Sequence, residues 1–258
     1  VLAGMDEAYV TEVVTALYVG LYRDERFKSQ KDKDGNNGAT STSNTLQRID
    51  LMYDDDNSTS TANTGAKVDT PPTAPIDWER AVKRARILAE GVYLAKDIVN
   101  APHNVLNSLA LAETAQRLAQ QHGSRLSCQV LSAEECEELG MGAFLGVARG
   151  SETPAQFLHL TYTPPRKPGQ DGWSWGGKQQ RLKDCKRLGI VGKGLLFDTG
   201  GYKIKTQMME LMKFDCGGAA AVLGAARAIV QLEPEDVEIH FVVAACENMI
   251  NEKAMVPG

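Results

Sequence analysis

From residue 77 onward, helical patterns of apolar residues alternate with short apolar runs of the strand type. Such alternation is typical of an α/β domain, because each helix carries the chain back across the sheet before the next strand begins. The sequence therefore predicts an α/β fold with a mixed, largely parallel sheet flanked by helices. Helices are predicted over 78–99, 108–121 and 217–230, and strands over 125–131, 156–162, 188–192 and 237–246.

Ser108 is expected to cap the second of these helices, whose inner face would carry Leu111, Ala115, Leu118 and Ala119. The inner face of the first would carry Val82, Ala85, Ala89, Val92 and Ile98. Ser132 and Glu135 are expected to form a capping box, and a tryptophan-containing segment over 164–186 is expected at the surface.

The first 76 residues have a different character. An amphipathic helix is predicted over 6–22, and apolar residues alternate over 49–53 in the manner of a half-buried strand. Long polar tracts surround that strand, and the second tract ends at Pro71-Pro72. We expect residues 1–76 to be the end of a smaller N-terminal α/β domain, with a polar hairpin insertion and a linker. Residues 77–258 are then expected to belong to a second domain.

Overall composition excludes several functional classes. The chain has 258 residues, of which 43% are hydrophobic and 24% charged, with a formal net charge of -5. No global basic field favours nucleic acid or an anionic membrane, and no apolar run approaches the roughly 18 residues needed to span a bilayer. The five cysteines are scattered and contain no C-x-x-C pair, which argues against a disulfide framework and a thiolate zinc site. A reducing compartment is expected.

Most of the candidate site residues lie in a glycine-rich stretch over 191–205 and in a second one over 210–218. An apolar run leads into the first stretch and ends at Lys193, at the carboxyl end of a predicted strand, where ligands bind in open α/β sheets. From spacing alone, the charges could form a metal site, a phosphate clamp or an ion-pair cluster. Four of them lie within 23 positions: Lys193, Asp198, Lys205 and Asp215.

Other chemistries lack their sequence patterns. No G-x-x-x-x-G-K-[ST] or G-x-G-x-x-G segment supports phosphate binding, no G-x-S-x-G supports a serine nucleophile, and Cys216 has no histidine near it in sequence. The four histidines lie far apart in the sequence, and His159 and His240 fall inside apolar strands, where we expect core histidines. A metal bound here would be held by oxygen and amine ligands.

Three methionines lie near the charged residues. Met208 and Met209 are expected to fill the core, and Met212 either fills the core or lines a substrate pocket.

Several motifs in order resemble the leucyl aminopeptidase family of two-metal peptidases, especially its plant and bacterial branch. The resemblance extends over about residues 77–258. It is carried by the sequences VGKGLLFDTGGYKIK at 191–205, ELMKFDCGG at 210–218 and VAACENM at 243–249, and by DIVNAPHNVL at 97–106, GMGAFLGV at 140–147 and FLHLTY at 157–162.

This resemblance implies a role for each matching residue. Asp198 would bridge two divalent ions (Zn, Mn or Mg), and Lys193 and Asp215 would bind one of them. Lys205 would be the catalytic lysine, kept charged to polarise the scissile carbonyl, whereas Lys193 would bind metal as the free amine. Lys205 and Asp215 would also contact the substrate. Met212 would line the pocket for the first side chain.

The family also has an Asn-Thr-Asp-Ala-Glu-Gly-Arg motif that supplies further carboxylate ligands and an arginine, and that motif does not occur in the 258 residues. The remaining ligands are therefore expected beyond Gly258, and residues 77–258 are expected to be the N-terminal portion of the catalytic domain.

The implied function is metal-dependent removal of N-terminal, leucine-like residues from peptides. The alternative is a catalytically inactive homologue that serves as a structural subunit. The resemblance further implies a homohexamer in the cytoplasm or an organelle stroma or matrix, with no secretion.

Overall fold

The computed structural model describes residues 6–24, 26–27, 76–165 and 185–256. By their internal contacts, the residues divide into two compact units, Val1–Ala89 and Glu90–Gly258. The predicted strand at 49–53, the polar tracts around it and most of the tryptophan-containing segment at 164–186 lie outside the described residues. Within the described ranges, no helix has the length and apolar character needed to cross a membrane.

The first unit contains α1 (Glu7–Gly20) and the beginning of α2 (Trp78–Asn100). Asp6 caps α1 by accepting a hydrogen bond from the Tyr9 amide, as expected of an N-terminal aspartate. Val10 and Val14 are buried and form a small apolar cluster with residues of α2. The predicted apolar stripe of α1 is only partly covered, since Leu17 and Leu21 remain 36% and 44% exposed.

The second unit contains the remaining elements. After α2 they follow in chain order: α3 (Ser108–His122), a 3₁₀ turn (Gly123–Arg125), β1 (Leu126–Leu131), α4 (Ala133–Glu138), α5 (Gly142–Ala148), β2 (Gln156–Tyr162), β3 (Lys186–Asp198), a 3₁₀ helix (Met209–Phe214), α6 (Gly217–Leu232) and β4 (Val237–Asn248).

The four described strands form one mixed sheet in the order β1-β2-β4-β3. β3 and β4 are parallel, which confirms the mixed α/β architecture, but β1 pairs antiparallel with β2 and β2 antiparallel with β4. The described sheet is therefore less parallel than predicted. The one parallel pair, β3 and β4, is joined by α6, which serves as its crossover helix.

The main core lies between this sheet and the helices α3 and α6. The predicted inner face of α3 is confirmed, because Leu111, Ala115, Leu118 and Ala119 are all buried. α6 lies very close to β3 near its own first turn: a Cβ added at Gly218 would come within 2.6 Å of the Lys193 backbone nitrogen. Glycine is required there because any side chain would force the helix away from the strand.

Three local predictions are corrected. Asn107, rather than Ser108, caps α3 through a hydrogen bond from the Ala110 amide, because the Ser108 hydroxyl instead donates to the Pro154 carbonyl at 2.7 Å. The strand predicted over 188–192 is longer than expected, since β3 begins at Lys186 and ends at Asp198. Val92, predicted to be buried on α2, is 37% exposed.

The capping box at Ser132 and Glu135 is confirmed, and the five cysteines are all free.

Candidate active site

A β-bulge near the end of β3 determines which side chains share one face of the sheet. Lys193 is paired with Ala244 of β4, and Asp198 with Asn248, with a register shift between Leu195 and Asp198. Side chains alternate along a regular strand, so Lys193 and Asp198, five positions apart, would point to opposite faces. The extra residue in the bulge reverses the alternation and brings both to the same face.

Asp198 is held by three donors. Lys205 Nζ forms an ion pair with Oδ2, while Oδ1 accepts hydrogen bonds from Asn248 Nδ2 at 2.7 Å and from the Gly200 amide at 2.9 Å. Burial alone would raise the pKa of this carboxyl, but the hydrogen bond from Lys205 and those from the other two donors outweigh burial and lower the pKa below its usual value. Asp198 is therefore ionised at neutral pH.

The second carboxylate, Asp215, lies between the 3₁₀ helix and α6. Its Oδ1 forms an ion pair with Lys193 Nζ at 2.7 Å, and the side chain of Lys193 is 60% exposed. Its Oδ2 is buried and has no hydrogen-bond partner among the described residues. A buried carboxylate oxygen without a partner is costly, and a bound cation would satisfy it.

Met212 connects the two ion pairs. Its sulfur lies 3.3 Å from Lys205 Nζ, and its carbonyl accepts a hydrogen bond from the Asp215 amide at 3.1 Å. The five predicted site residues thus form one continuous series of contacts: Asp198 to Lys205, Lys205 to Met212, Met212 to Asp215, and Asp215 to Lys193. Segments distant in the sequence, the end of β3 and the turn before α6, meet in a single cluster.

The donor set fits hard divalent cations. Within the described ranges, no three His, Cys, Asp or Glu side chains gather in a way that could hold a metal. Two carboxylates and a lysine amine are available instead, and oxygen and nitrogen donors of this kind suit Mn, Zn and Mg. The unpartnered Oδ2 of Asp215 is the structural feature that favours a bound cation, because a cation would satisfy this buried oxygen. Burial, with smaller contributions from Glu247 and Asp198, raises the pKa of the Cys246 thiol to about 12, so this cysteine is a neutral thiol at neutral pH.

Two polar groups at the site were absent from the sequence prediction. Asn248 and the Gly200 amide both contact Asp198. Asn248 ends β4, the parallel neighbour of β3, so its position beside Asp198 follows from strand pairing. The position of Asn248 at the carboxyl end of an apolar strand was the available signal.

Two further predictions concerned Met208 and the histidines of the sheet. Met208, expected in the core, is 62% exposed because it precedes the 3₁₀ helix in a left-handed backbone conformation. His159 and His240 meet on adjacent strands, with Nε2 of the first 2.9 Å from Nδ1 of the second, and His240 also contacts Glu238 at 3.1 Å. These contacts satisfy the histidines within the sheet, but both side chains are half-buried and lie outside the core in which they were expected.

Comparisons with known proteins agree with this geometry. Residues 93–258 match the cytosol aminopeptidase family, catalytic domain. A probable cytosol aminopeptidase of Gloeobacter violaceus is 41% identical over 258 residues, an alignment that covers 99% of this chain and 44% of the relative. The neutral chloroplastic leucine aminopeptidase of Solanum lycopersicum is 40% identical over 249 residues, covering 95% of this chain and 36% of the relative.

Solved structures give the same result. A mutant of tomato leucine aminopeptidase is similar with a TM-score of 0.72 and 35% identity, covering 100% of this chain and 42% of that chain. The bottromycin maturation enzyme BotP in complex with Mn is similar with a TM-score of 0.66 and 26% identity, covering 96% and 41%. The chain thus spans less than half the length of these relatives. On the match over residues 93–258, it belongs to the cytosol aminopeptidase family and carries sequence of that family's catalytic domain.

Proposed function

We propose that this chain forms one side of the active site of a metal-dependent aminopeptidase that releases N-terminal residues from peptides. The observation that carries the proposal is the convergence of two carboxylates and two lysines, with one buried oxygen of Asp215 lacking any partner among the described residues. Family membership and relatives named as aminopeptidases support the same activity.

Asp198, Asp215 and Lys193 are the residues that would hold divalent ions, with Asp198 shared between two of them. When bound, such ions supply Lewis acidity and make a nucleophile available from water near neutral pH. Lys193 would bind a cation only through its free amine, in place of the ion pair that it forms with Asp215. Its side chain is 60% exposed, so the amine group is open to solvent. Further ligands would complete the coordination, because three side chains leave two ions under-coordinated.

Lys205 has a different role because it is held close to Asp198 and Met212 rather than open to solvent. We assign it to the carbonyl oxygen of the scissile bond, where its ammonium group donates a hydrogen bond as negative charge develops. A charge placed in advance at that position stabilises the transition state more than the substrate, which is the condition for raising kcat.

Met212 is assigned to the pocket for the first side chain of the peptide. Its thioether adjusts to different apolar shapes, which suits leucine-like residues without requiring one of them. The substrate's free α-amine would be bound on the Asp215 side of the site, and this requirement confines cleavage to the first peptide bond.

Hydrolysis of leucine p-nitroanilide by the native protein tests the proposal. We expect turnover that a chelator abolishes and added Mn²⁺ restores. A metal-loaded, intact assembly without turnover would instead support an inactive homologue that acts as a structural subunit. An intact mass of the same material, compared with the 28.0 kDa of this chain, defines which polypeptide was assayed.

Further properties follow from the family as proposals. We infer peptide substrates, a homohexameric assembly and bound Zn, Mn or Mg. We also infer a location in the cytoplasm or an organelle stroma or matrix, since the tomato relative is named as chloroplastic. Size-exclusion chromatography with light scattering tests the assembly, and fractionation of the source cells tests the location.

A further inference from the structure

We propose that Asn248 is a positioning residue that fixes the carboxylate of Asp198 so that only its Oδ2 oxygen is open to cations. The inference rests on the proposed function, because it concerns how the shared carboxylate is presented to divalent ions. It assigns a role to a side chain that ends β4 and acts through its contact with Asp198.

The two carboxylate oxygens of Asp198 have different hydrogen-bond partners. Oδ1 accepts from Asn248 Nδ2 at 2.7 Å and from the Gly200 amide at 2.9 Å. A carboxylate oxygen has about two lone-pair directions, so these two donors occupy Oδ1 fully. Oδ2 receives only the ammonium group of Lys205 among the described residues, so one of its two lone-pair directions is free and the other is held by a group that a cation can displace.

Asn248 can orient Asp198 because its own backbone is firmly held. It lies directly opposite Asp198 in the parallel pair, and its carbonyl accepts two hydrogen bonds from Thr199, from the amide and the hydroxyl, both at 2.9 Å. Gly201 lies beside the Asn248 side chain, since a Cβ on Gly201 would be 3.1 Å from the Asn248 Oδ1. The turn that follows Asp198 therefore contacts both the backbone and the side chain of Asn248.

The consequence is a carboxylate that is already in position before any ion binds. A hydrogen bond to a charged acceptor is among the stronger ones in proteins, and the partners that orient metal ligands typically affect metal affinity or activity by about 10–100-fold. Without the amide donor, only the Gly200 amide holds Oδ1, so the Asp198 carboxylate turns more easily about its last side-chain torsion. Both the cation position and the contact with Lys205 are then less well defined.

The test is the dissociation constant for Mn²⁺, measured by isothermal titration calorimetry on metal-stripped native protein. Asn248→Leu keeps the branched shape of the side chain and removes the donor, whereas Asn248→Ala removes both shape and donor. Asn251→Ala, three residues further along, is the matched control because the Asn251 side chain caps the Lys253 amide and does not contact Asp198. Circular dichroism confirms that each variant is folded before titration.

We expect both Asn248 variants to bind Mn²⁺ about 10–100-fold more weakly than wild type, and the control to bind as wild type does. With leucine p-nitroanilide at saturating Mn²⁺, kcat should fall while KM changes little. Wild-type affinity in Asn248→Leu, with weaker binding only in Asn248→Ala, would assign Asn248 to packing and overturn the inference. If the wild-type protein itself bound no Mn²⁺, the proposed metal site would be wrong, and this inference with it.

Discussion

Gly218 of α6 lies directly against the backbone of Lys193 in β3, with only 2.6 Å between the nitrogen of Lys193 and the position of a Cβ on Gly218. The opposite approach is equally close, since a Cβ on Gly192 would come within 2.4 Å of the Gly218 carbonyl oxygen. Helix and strand therefore meet backbone to backbone. This contact fixes the start of α6, and with it Asp215, relative to the amine that pairs with it.

Gly218→Ala should destabilise the protein, because overpacking of this kind costs about 1–3 kcal/mol. Gly217→Ala is a matched control one position earlier in the same helical turn, where an added Cβ meets nothing within 4 Å. There the substitution should leave stability unchanged or raise it by up to about 1 kcal/mol, since alanine is the better helix former. Urea unfolding measures both. Equal effects of the two substitutions would contradict the close packing described for Gly218.

Lys205→Ala should lower kcat for leucine p-nitroanilide by about 10²–10³, the usual effect of losing one oxyanion donor. Lys203→Ala, an exposed lysine two positions earlier, should retain wild-type turnover. Steady-state kinetics at saturating Mn²⁺ compares them. Turnover of Lys205→Ala within about tenfold of wild type would show that this lysine does not stabilise the oxyanion.

Asp215→Asn should remove most of the stabilisation that Mn²⁺ gives the protein. A ligand at 100 times its Kd stabilises the folded state by about 2.7 kcal/mol, and this term is lost when the ligand no longer binds. Thermal melts with chelator and with excess Mn²⁺ give the shift for each variant. Glu210→Gln, an exposed carboxylate on the adjacent 3₁₀ helix, should keep the wild-type shift. An undiminished shift in Asp215→Asn would exclude this carboxylate as a ligand.

Tyr162 should make stability fall at alkaline pH. Its ring is buried and its hydroxyl donates to the Pro234 carbonyl at 2.9 Å, and burial above all raises its pKa from 10.0 to about 12. The unfolded chain therefore loses this proton before the folded protein does, so the stabilisation is complete below about pH 10 and is lost as pH rises toward 12.

Tyr162→Phe should be less stable than wild type at neutral pH by about 0.5–1.5 kcal/mol, the usual net contribution of one hydrogen bond. That difference should shrink between pH 10 and 12, because only the wild type loses stability through Tyr162 there. Denaturant unfolding at several pH values measures the gap. A constant gap across this range would contradict the raised pKa.

Much of the fold follows from sequence periodicity, for physical reasons visible in individual elements. The buried face of α3 repeats at helical spacing, and β2 has the predicted bounds 156–162 because an apolar alternation is interrupted at both ends. The direction of each strand relative to its neighbours was harder to predict from the sequence. Apolar composition indicates that a strand is buried, but it does not determine whether its neighbour runs parallel or antiparallel, so the antiparallel pairing of β1 and β2 was missed.

The candidate site divides in the same way. The four charged residues were identified because they belong to a dense, glycine-rich stretch, and the structure brings them together. Asn248 was not identified, because its contact with Asp198 depends on the register between β3 and β4. The sequence of neither strand indicates that register. The choice of Asn107 over Ser108 as a helix cap likewise depended on a distant carbonyl, that of Pro154.

The bulge in β3 also sets a rule for placing reporter groups in the site. Up to Leu195, odd-numbered residues of this strand share the face that carries Lys193, whereas at Asp198 that face is occupied by an even-numbered residue. A fluorophore or cross-linker positioned by simple alternation from Lys193 would therefore miss the site side once it passed the bulge. An insertion or deletion of one residue between these two positions would replace the side chain that faces the site by its neighbour, without changing the composition of the strand on either side.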